Sequence, residues 1–352
     1  MDRLDNPLYQ EDLAAIGRRG VNWGALEGAI VAVSGATGMV GAFLADLLMW
    51  GRREVGADVR VLALGRSEAK ARERLPHFGQ EGFAFEELDV SAPGNAPSRP
   101  ADVVVHLAST THPRAYATDP IGTVASNVIG LSNLLGYAAD SGRARFVFAS
   151  SVEVYGENRG DVERFDEGYC GYLDCNTLRA GYPESKRCGE ALCQAYAVQR
   201  GLAVYVPRLP RTYGPTLLAS DTKAVSQFIH RGVAGEDIVL KSEGTQTYSY
   251  LYVADVVAGL LHVLTSCESG VAYNLADERS DVSLRDLAQT IANIAVSRVV
   301  FELPDEVERA GYSTATRAVM DASRVRAKGW RACYGLRDGL ERTIRILRST
   351  EE

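Results

Sequence analysis

The sequence predicts an α/β protein, a doubly wound parallel sheet followed by a smaller C-terminal α/β lobe. Apolar runs of strand length alternate with helical patterns between residues 29 and 208. A glycine-rich turn, GATGMVG at 35–41, stands directly between the first strand and the first helix. After Arg208 the alternation weakens into the turn-rich PRTYGPTLLASDTKA.

Residues 29–34 (AIVAVS) form the first strand, and a helical pattern follows the turn through FLADLLMW. Further strands are expected at 58–64 (DVRVLAL), near 83–88, at 102–107 (DVVVHL), 145–149 (RFVFA) and 203–208 (AVYVPR), with helices near 121–141 and 182–200. Strands alternating with helices call for parallel pairing with both sheet faces covered. Residues 1–27, with Asp12, Leu13, Ile16 and Trp23, read as a helix and turn packed outside the first strand, and no chemistry is assigned to them. The expected division is an extension at 1–27, a first domain at 28–210 and a second lobe at 211–352, with segments near 251–276 returning to the first domain. No repeats or flexible linkers interrupt the chain, so the cleft between lobes is the natural site.

The chain has 352 residues, 46% of them hydrophobic and 24% charged, with a net charge of -7. That balance is globular, and it opposes non-specific binding to nucleic acid or anionic membranes. No apolar run reaches membrane-spanning length and the N-terminus has no apolar signal core, so a cytoplasmic location is expected. The six cysteines fall at irregular spacings without the C-x-x-C pairs of a zinc site and read as reduced thiols; no metal is expected.

Gly35, Gly38 and Gly41 sit where backbone must approach a pyrophosphate and where helix must pack closely on sheet, with Thr37, Met39 and Val40 between them. A glycine-rich turn can also serve tight packing alone; the strand-turn-helix setting favours a Rossmann-type dinucleotide site. After the second strand, where an acidic residue would hold the ribose of NAD, stands Arg66. An arginine there meets a 2′-phosphate and favours NADP, or stacks on adenine while NAD binds. Asp89, in ELDV, is placed to accept from the adenine amino group.

Tyr182 and Lys186, in GYPESK, share one helix face, with Pro183 tolerated only in the first turn. A tyrosine of pKa about 10 is a poor base at neutrality, and lowering it by three units corresponds to roughly 4 kcal/mol. The pattern is common by chance, but the strand FVFASSVEVYG at 146–156 ends in Ser150 and Ser151 about thirty residues earlier. Ser151 is the hydroxyl placed to share a proton with Tyr182, and Glu153 stands just beyond as a second acid or base.

Together these residues resemble the extended short-chain dehydrogenase/reductases, specifically the nucleotide-sugar epimerases, dehydratases and decarboxylases. The likeness runs from about residue 29 to 345 and adds HLAS at 106–109, Asn127 in NVIG, RTYGP at 211–215, YVADV at 252–256, YNLAD at 273–277 and KGW at 328–330. The resemblance implies that Tyr182 takes the proton from a sugar hydroxyl, usually at C4, while hydride passes to a nicotinamide. Ser151 would orient the hydroxyl, and Lys186 would hold the nicotinamide ribose and lower the tyrosine pKa. Val90, Leu107, Ala108, Ser109 and Asn127 would join the glycine turn, Arg66 and Asp89 around the cofactor, with Thr110, Arg211, Tyr248 and Arg317 on the substrate side.

Val152–Glu153 stands where the 4,6-dehydratases carry an Asp-Glu pair, and the stretch CNTLRAGYPESKRCGEALC is similar to UDP-glucuronate decarboxylases. Their second-lobe arginine after G-x-Q-T is Tyr248 here, and the family's asparagine before T/F-Y-G-P is Arg211. The reading is an NAD(P)-dependent enzyme acting through a 4-keto nucleotide sugar, as C4 epimerase or decarboxylase. An NADPH-consuming 4-keto-sugar reductase is the alternative, ahead of a non-catalytic nucleotide-binding regulator. Resemblance further implies a homodimer through the helices near 121–141 and 182–200.

Overall fold

The computed structural model describes residues 2–111, 113–302 and 315–351, so residues 303–314 of the expected second lobe lie outside the described residues. The chain begins with α1 (Pro7–Arg19), β1 (Ile30–Ser34), α2 (Met39–Trp50), β2 (Arg60–Gly65), α3 (Glu68–Arg74), β3 (Phe83–Glu87) and β4 (Val103–His106). It continues with α4 (Pro113–Thr118), α5 (Pro120–Asp140), β5 (Arg145–Phe148), β6 (Ser150–Ser151), α6 (Gly181–Arg200), β7 (Ala203–Leu209) and β8 (Arg211–Tyr213). Then come α7 (Ala224–Val233), β9 (Ile238–Leu240), β10 (Thr247–Tyr252), α8 (Val253–Ser266), β11 (Ala272–Asn274), β12 (Asp281–Ser283), α9 (Leu284–Ala295), β13 (Val299–Phe301) and β14 (Arg317–Ala318).

The large sheet has the order β3-β2-β1-β4-β5-β7-β11, with β6 also on β7, and every pairing is parallel. Its central strands are nearly continuous apolar runs, as burial on both faces requires, and one hydrophobic cluster covers each face. The expected doubly wound α/β fold is therefore present. The strand order reverses between β1 and β4, which opens a crevice at their carboxyl ends.

Local boundaries differ from the sequence reading for physical reasons. The second strand starts at Arg60, not residue 58, because α2 runs into a wider turn over Gly51–Val55 that stops at left-handed Gly56. The strand expected at 145–149 breaks at Ala149, and β6 registers with β7 through Ser150↔Arg208 and Ser151↔Leu209. β5 is already paired with β7, so β6 extends the same ladder past the end of the β4 pairing and carries Ser151 to the sheet's open end. A smaller sheet is built on β10, which pairs β8, β12 and β14, while β9 and β13 form a separate parallel pair. β11 adds to the edge of the large sheet, and α8 packs on α2.

The N-terminal helix is tied down by buried charge. Asp12 accepts from the Tyr252 hydroxyl (2.5 Å) and from Arg342 Nε (2.6 Å). Asp46 on α2 accepts from Arg3 Nε (2.8 Å) and the Tyr9 hydroxyl (2.5 Å) and bonds His77 Nε2 (2.7 Å). Burial opposes its charge, but Arg3 and His77 outweigh burial and hold the carboxyl below its ordinary 3.8. Among the described residues, no helix is long and apolar enough to cross a membrane.

Asp46→Ala leaves Arg3, Tyr9 and His77 without their shared acceptor, so urea unfolding is expected to show a loss of about 3–5 kcal/mol; a loss below about 1 kcal/mol would show the network to be idle. Because the folded value is depressed, this contribution is complete above pH 3.8 and is lost as pH falls through the folded value.

Candidate active site

A cavity of ≈ 510 Å³ opens at the crevice and extends under the second lobe. Its wall begins with the glycine turn. Gly35 has φ +71, and a Cβ on it would stand 2.7 Å from the Ala108 amide nitrogen, so backbone touches backbone where β1 and β4 end. A Cβ on Gly41 would stand 2.3 Å from the Gly35 carbonyl oxygen, which seats α2 directly on the turn. No side chain caps α2 at Gly38, leaving its first-turn amides for an anion. Gly38, Met39 and Val40 line the cavity, while Thr37 does not; its carbonyl accepts from Arg74 (3.3 Å), which also reaches the Thr216 carbonyl (2.6 Å). This cradle fits a dinucleotide's pyrophosphate.

The remaining cofactor candidates extend from that turn. Leu107, Ser109 and Thr110 line the cavity after β4, and Ala108 lies against Gly35. Beneath them the Ser34 hydroxyl bonds His106 Nδ1 (2.8 Å), and burial holds that imidazole neutral, its value pushed down to about 3. Arg66 and Asp89 are exposed and outside the cavity lining. Hydrogen bonds from the Ser91 hydroxyl (2.6 Å) and amide (2.9 Å) hold Asp89 ionised, with Arg66 adding a weaker pull. Val90 is buried under α5 against Gly130. Asn127 is fully buried on α5; its amide donates to Ser185 Oγ (2.9 Å), which donates to the Tyr182 carbonyl (2.8 Å). Asn127 thus fixes the first turn of α6.

That turn places Tyr182 in the cavity. Ser151 lies close enough to its hydroxyl to pull its pKa down, and its ring stacks on Tyr116 at 5.2 Å. Burial pushes Tyr182 up to about 12, Ser151 opposes this, Glu153 adds to it and Arg179 resists. Lys186 donates to the Ala149 carbonyl (2.8 Å), with its nitrogen 5.8 Å from the Tyr182 ring centroid and 4.7 Å from that of Phe148. Burial brings Lys186 down to about 7. A lysine sheltered in this way does not activate the tyrosine by its charge alone. Behind the pair, Ser150 donates to Glu190 (2.5 Å), which Arg208 grips with two nitrogens at 2.9 and 2.7 Å.

Glu153 accepts from Arg179 Nη2 (2.7 Å) and stands 3.7 Å from Arg211 Nη2. Burial alone would raise the carboxyl, but the two arginines outweigh it and keep it ionised, so a basic or electrostatic role suits it at neutral pH better than an acidic one. Arg211 lies over the Tyr248 ring at 3.4 Å, and the Tyr248 hydroxyl donates to the Ala315 carbonyl. Arg317 is exposed outside the lining and donates to the Glu163 carbonyl at 3.0 Å. Sequence reasoning missed Arg179, Tyr116, Lys223 and Lys241, all on the cavity wall. Only Arg179 carried a signal, a cation three residues before Tyr182.

Among the described residues, the lining carries five basic side chains (Arg179, Lys186, Arg211, Lys223 and Lys241) against two acidic ones (Glu153 and Asp221), in a chain of net charge -7. A cationic pocket in an acidic protein selects an anionic ligand.

Comparison with known proteins gives the same frame. The NAD dependent epimerase/dehydratase family model matches residues 31–276. UDP-glucuronic acid decarboxylase 1 of Danio rerio is 33% identical over 316 residues, covering 89% of this chain and 71% of that protein. UDP-glucuronic acid decarboxylase 5 of Arabidopsis thaliana is 29% identical, covering 88% and 86%. Among solved structures, UDP-glucose 4-epimerase of Thermotoga maritima with UDP-glucose has a TM-score of 0.78 at 21% identity, covering 92% and 100%. UDP-glucuronic acid 4-epimerase of Bacillus cereus, in complex with UDP-glucuronic acid and NAD, has a TM-score of 0.75 at 19% identity, covering 91% and 99%. The structural likenesses show a shared fold, and the matched sequence, carried on that fold with its glycine turn, shows that the chain belongs to the NAD dependent epimerase/dehydratase family.

Proposed function

We propose that the chain oxidises C4 of a nucleoside diphosphate sugar and processes the resulting 4-keto sugar by C4 epimerisation or decarboxylation. The observation that carries this reading is the placement of Tyr182, Ser151 and Lys186 in the same cavity as the glycine turn. The cationic lining supports a diphosphate ligand, and the decarboxylase relatives support the substrate class.

When bound, NAD supplies the acceptor and later the donor of hydride, and its positive ring favours ionised tyrosine. The other parts are this chain's own. Gly35 to Gly41 would take the pyrophosphate, and Lys186, aimed by the Ala149 carbonyl, would meet ribose hydroxyls. Ser151 holds the sugar hydroxyl against Tyr182, which takes the proton. Burial keeps Tyr182 protonated at neutral pH in the ligand-free site, so a positive nicotinamide ring would be needed to favour its ionisation. Ionised Asp89 beside Arg66 disfavours a 2′-phosphate, which supports NAD over NADP and internal return of the hydride over net reduction. Exposed apolar residues on α5 and α6, with Ile121 82% and Val198 85% exposed, support a homodimer through these helices.

Tyr182→Phe is expected to slow turnover about 10²- to 10⁴-fold with little change in nucleotide-sugar binding; mass and NMR analysis of a nucleotide-sugar panel reads both rate and product, and full turnover by the variant would refute the role. Lys186 is depressed to about 7, so charging it against ribose hydroxyls requires NAD binding to take up protons above that pH. Calorimetry at pH 8 in two buffers of different ionisation heat should show this uptake, and Lys186→Met should abolish it. No uptake in the unaltered chain would exclude the contact. Sedimentation velocity is expected to find a dimer that Ile121→Glu weakens, and a monomer in the unaltered chain would dismiss the interface.

A further inference from the structure

The second-lobe half of the cavity is held from behind by a residue that does not reach it. Asp12 is fully buried on α1 and outside the cavity lining, and both it and Arg342 lie beyond the stretch 31–276 that the family model matches. Its two carboxylate oxygens are divided between partners. One accepts from the Tyr252 hydroxyl at the end of β10, the other from Arg342 Nε on the C-terminal helix (Leu336–Glu351). Arg342 also donates to the Leu8 carbonyl (2.9 Å) and to Glu11 (3.1 Å), so it grips a full turn of α1.

Both partners lead to the cavity. Tyr248 and Tyr250, on the same strand as Tyr252, stand in its wall, and Tyr250 registers with Arg211 of β8. The C-terminal helix packs on α7, whose Val225 and Phe228 also line the cavity. Helix and strands meet directly as well. A Cβ on Gly339 would stand 2.4 Å from the Tyr213 hydroxyl oxygen, and the ring of Tyr334, just before the helix, meets that of Tyr252 edge-on at 5.2 Å. Asp12 therefore closes the junction where two walls of the second-lobe half come together. Three residues earlier on the same helix face, Tyr9 donates to Asp46 of α2, the helix that follows the glycine turn. One turn of α1 thus bonds elements behind both halves of the cavity. Among the described residues, none of the hydrogen-bond partners of Asp12 or Arg342 belongs to the glycine turn, β6 or α6. Loss of the carboxylate would leave a buried hydroxyl and a guanidinium without their acceptor, and so loosen β10 and the C-terminal helix together.

We propose that Asp12 is a positioning residue for the substrate half of the cavity, holding β10 and the C-terminal helix so that this half is preformed for the nucleotide sugar. This rests on the nucleotide-sugar reading above and adds a determinant of affinity outside the pocket.

The test is calorimetric titration of the full chain with NAD and, once NAD-loaded, with the glucose esters of UDP, dTDP, GDP, ADP and CDP and with UDP-glucuronic acid. Urea unfolding identifies the variants that are folded. Asp12→Ala is expected to weaken whichever nucleotide sugars the unaltered chain binds by about 3- to 30-fold, the range that contacts remote from a ligand supply, while NAD affinity changes less than about twofold. Asp12→Asn, whose amide oxygen can still accept from one of the two donors, should restore part of the loss. Tyr252→Phe should weaken the same ligands at least about threefold, and adding it to Asp12→Ala should cost less than about twofold more, because both changes remove one bond. If Asp12→Ala does not fold, Tyr252→Phe is read in its place. Unchanged nucleotide-sugar affinity in the folded variant overturns the positioning role and leaves the nucleotide-sugar reading standing. Equal weakening of NAD and nucleotide sugars, or losses that multiply in the double variant, also overturns the role. Failure of the unaltered chain to bind any of the nucleotide sugars overturns that reading and the role with it.

Discussion

The tips of β1 and β4 bring backbone against backbone at Gly35 and Ala108, and the rest of the site is arranged around that contact. A side chain at Gly35 would strike Ala108, so only glycine lets the first strand turn at once into α2 while the fourth strand ends beside it. The reversal of strand order then leaves a crevice there and nowhere else along the large sheet. Ser34 and His106 fasten the same two tips from below, through an imidazole that burial keeps uncharged. Close approach is thus obtained with no fixed charge in the wall beneath the glycine turn.

Around that crevice the electrostatics divide by degree of pairing. Tyr182 and Lys186 are buried with incomplete partners, and both are pushed toward their neutral forms. Glu153 is only partly buried and has two arginines, and it stays charged. The resting site therefore keeps neutral groups at Tyr182 and Lys186 and a fixed charge at Glu153. Among the described lining residues arginine and lysine outnumber acids, although the chain as a whole is acidic.

The large sheet was legible in the sequence because each of its strands is a short apolar run between helical patterns, and the glycine turn marked its own place by following one. Ser151 and Tyr182 were legible as a pair only because two separate motifs agreed. The break at Ala149 was not, since RFVFASS reads as one strand; that the pairing with β4 ends at Phe148 while the pairing with β7 goes on is a tertiary effect. Arg179 went unassigned for a similar reason. Its partner Glu153 lies 26 residues earlier, and nothing local reveals that the two meet. Tyr116, Lys223 and Lys241 come from three different elements whose convergence depends on how the lobes close on each other. Spacing reports what one helix face shares, and this wall is shared by many elements.

β11 closes the edge of the large sheet, although it comes after β8, β9 and β10 in the chain. The backbone thus leaves the first sheet, builds much of the smaller one, and goes back before completing the smaller one with β12 and β14. For recombination this is a barrier: a single crossover after β7 would deliver the first sheet without its edge strand and the second without its start. Exchange of pocket walls between chains on this plan must therefore proceed by point changes or by several junctions at once.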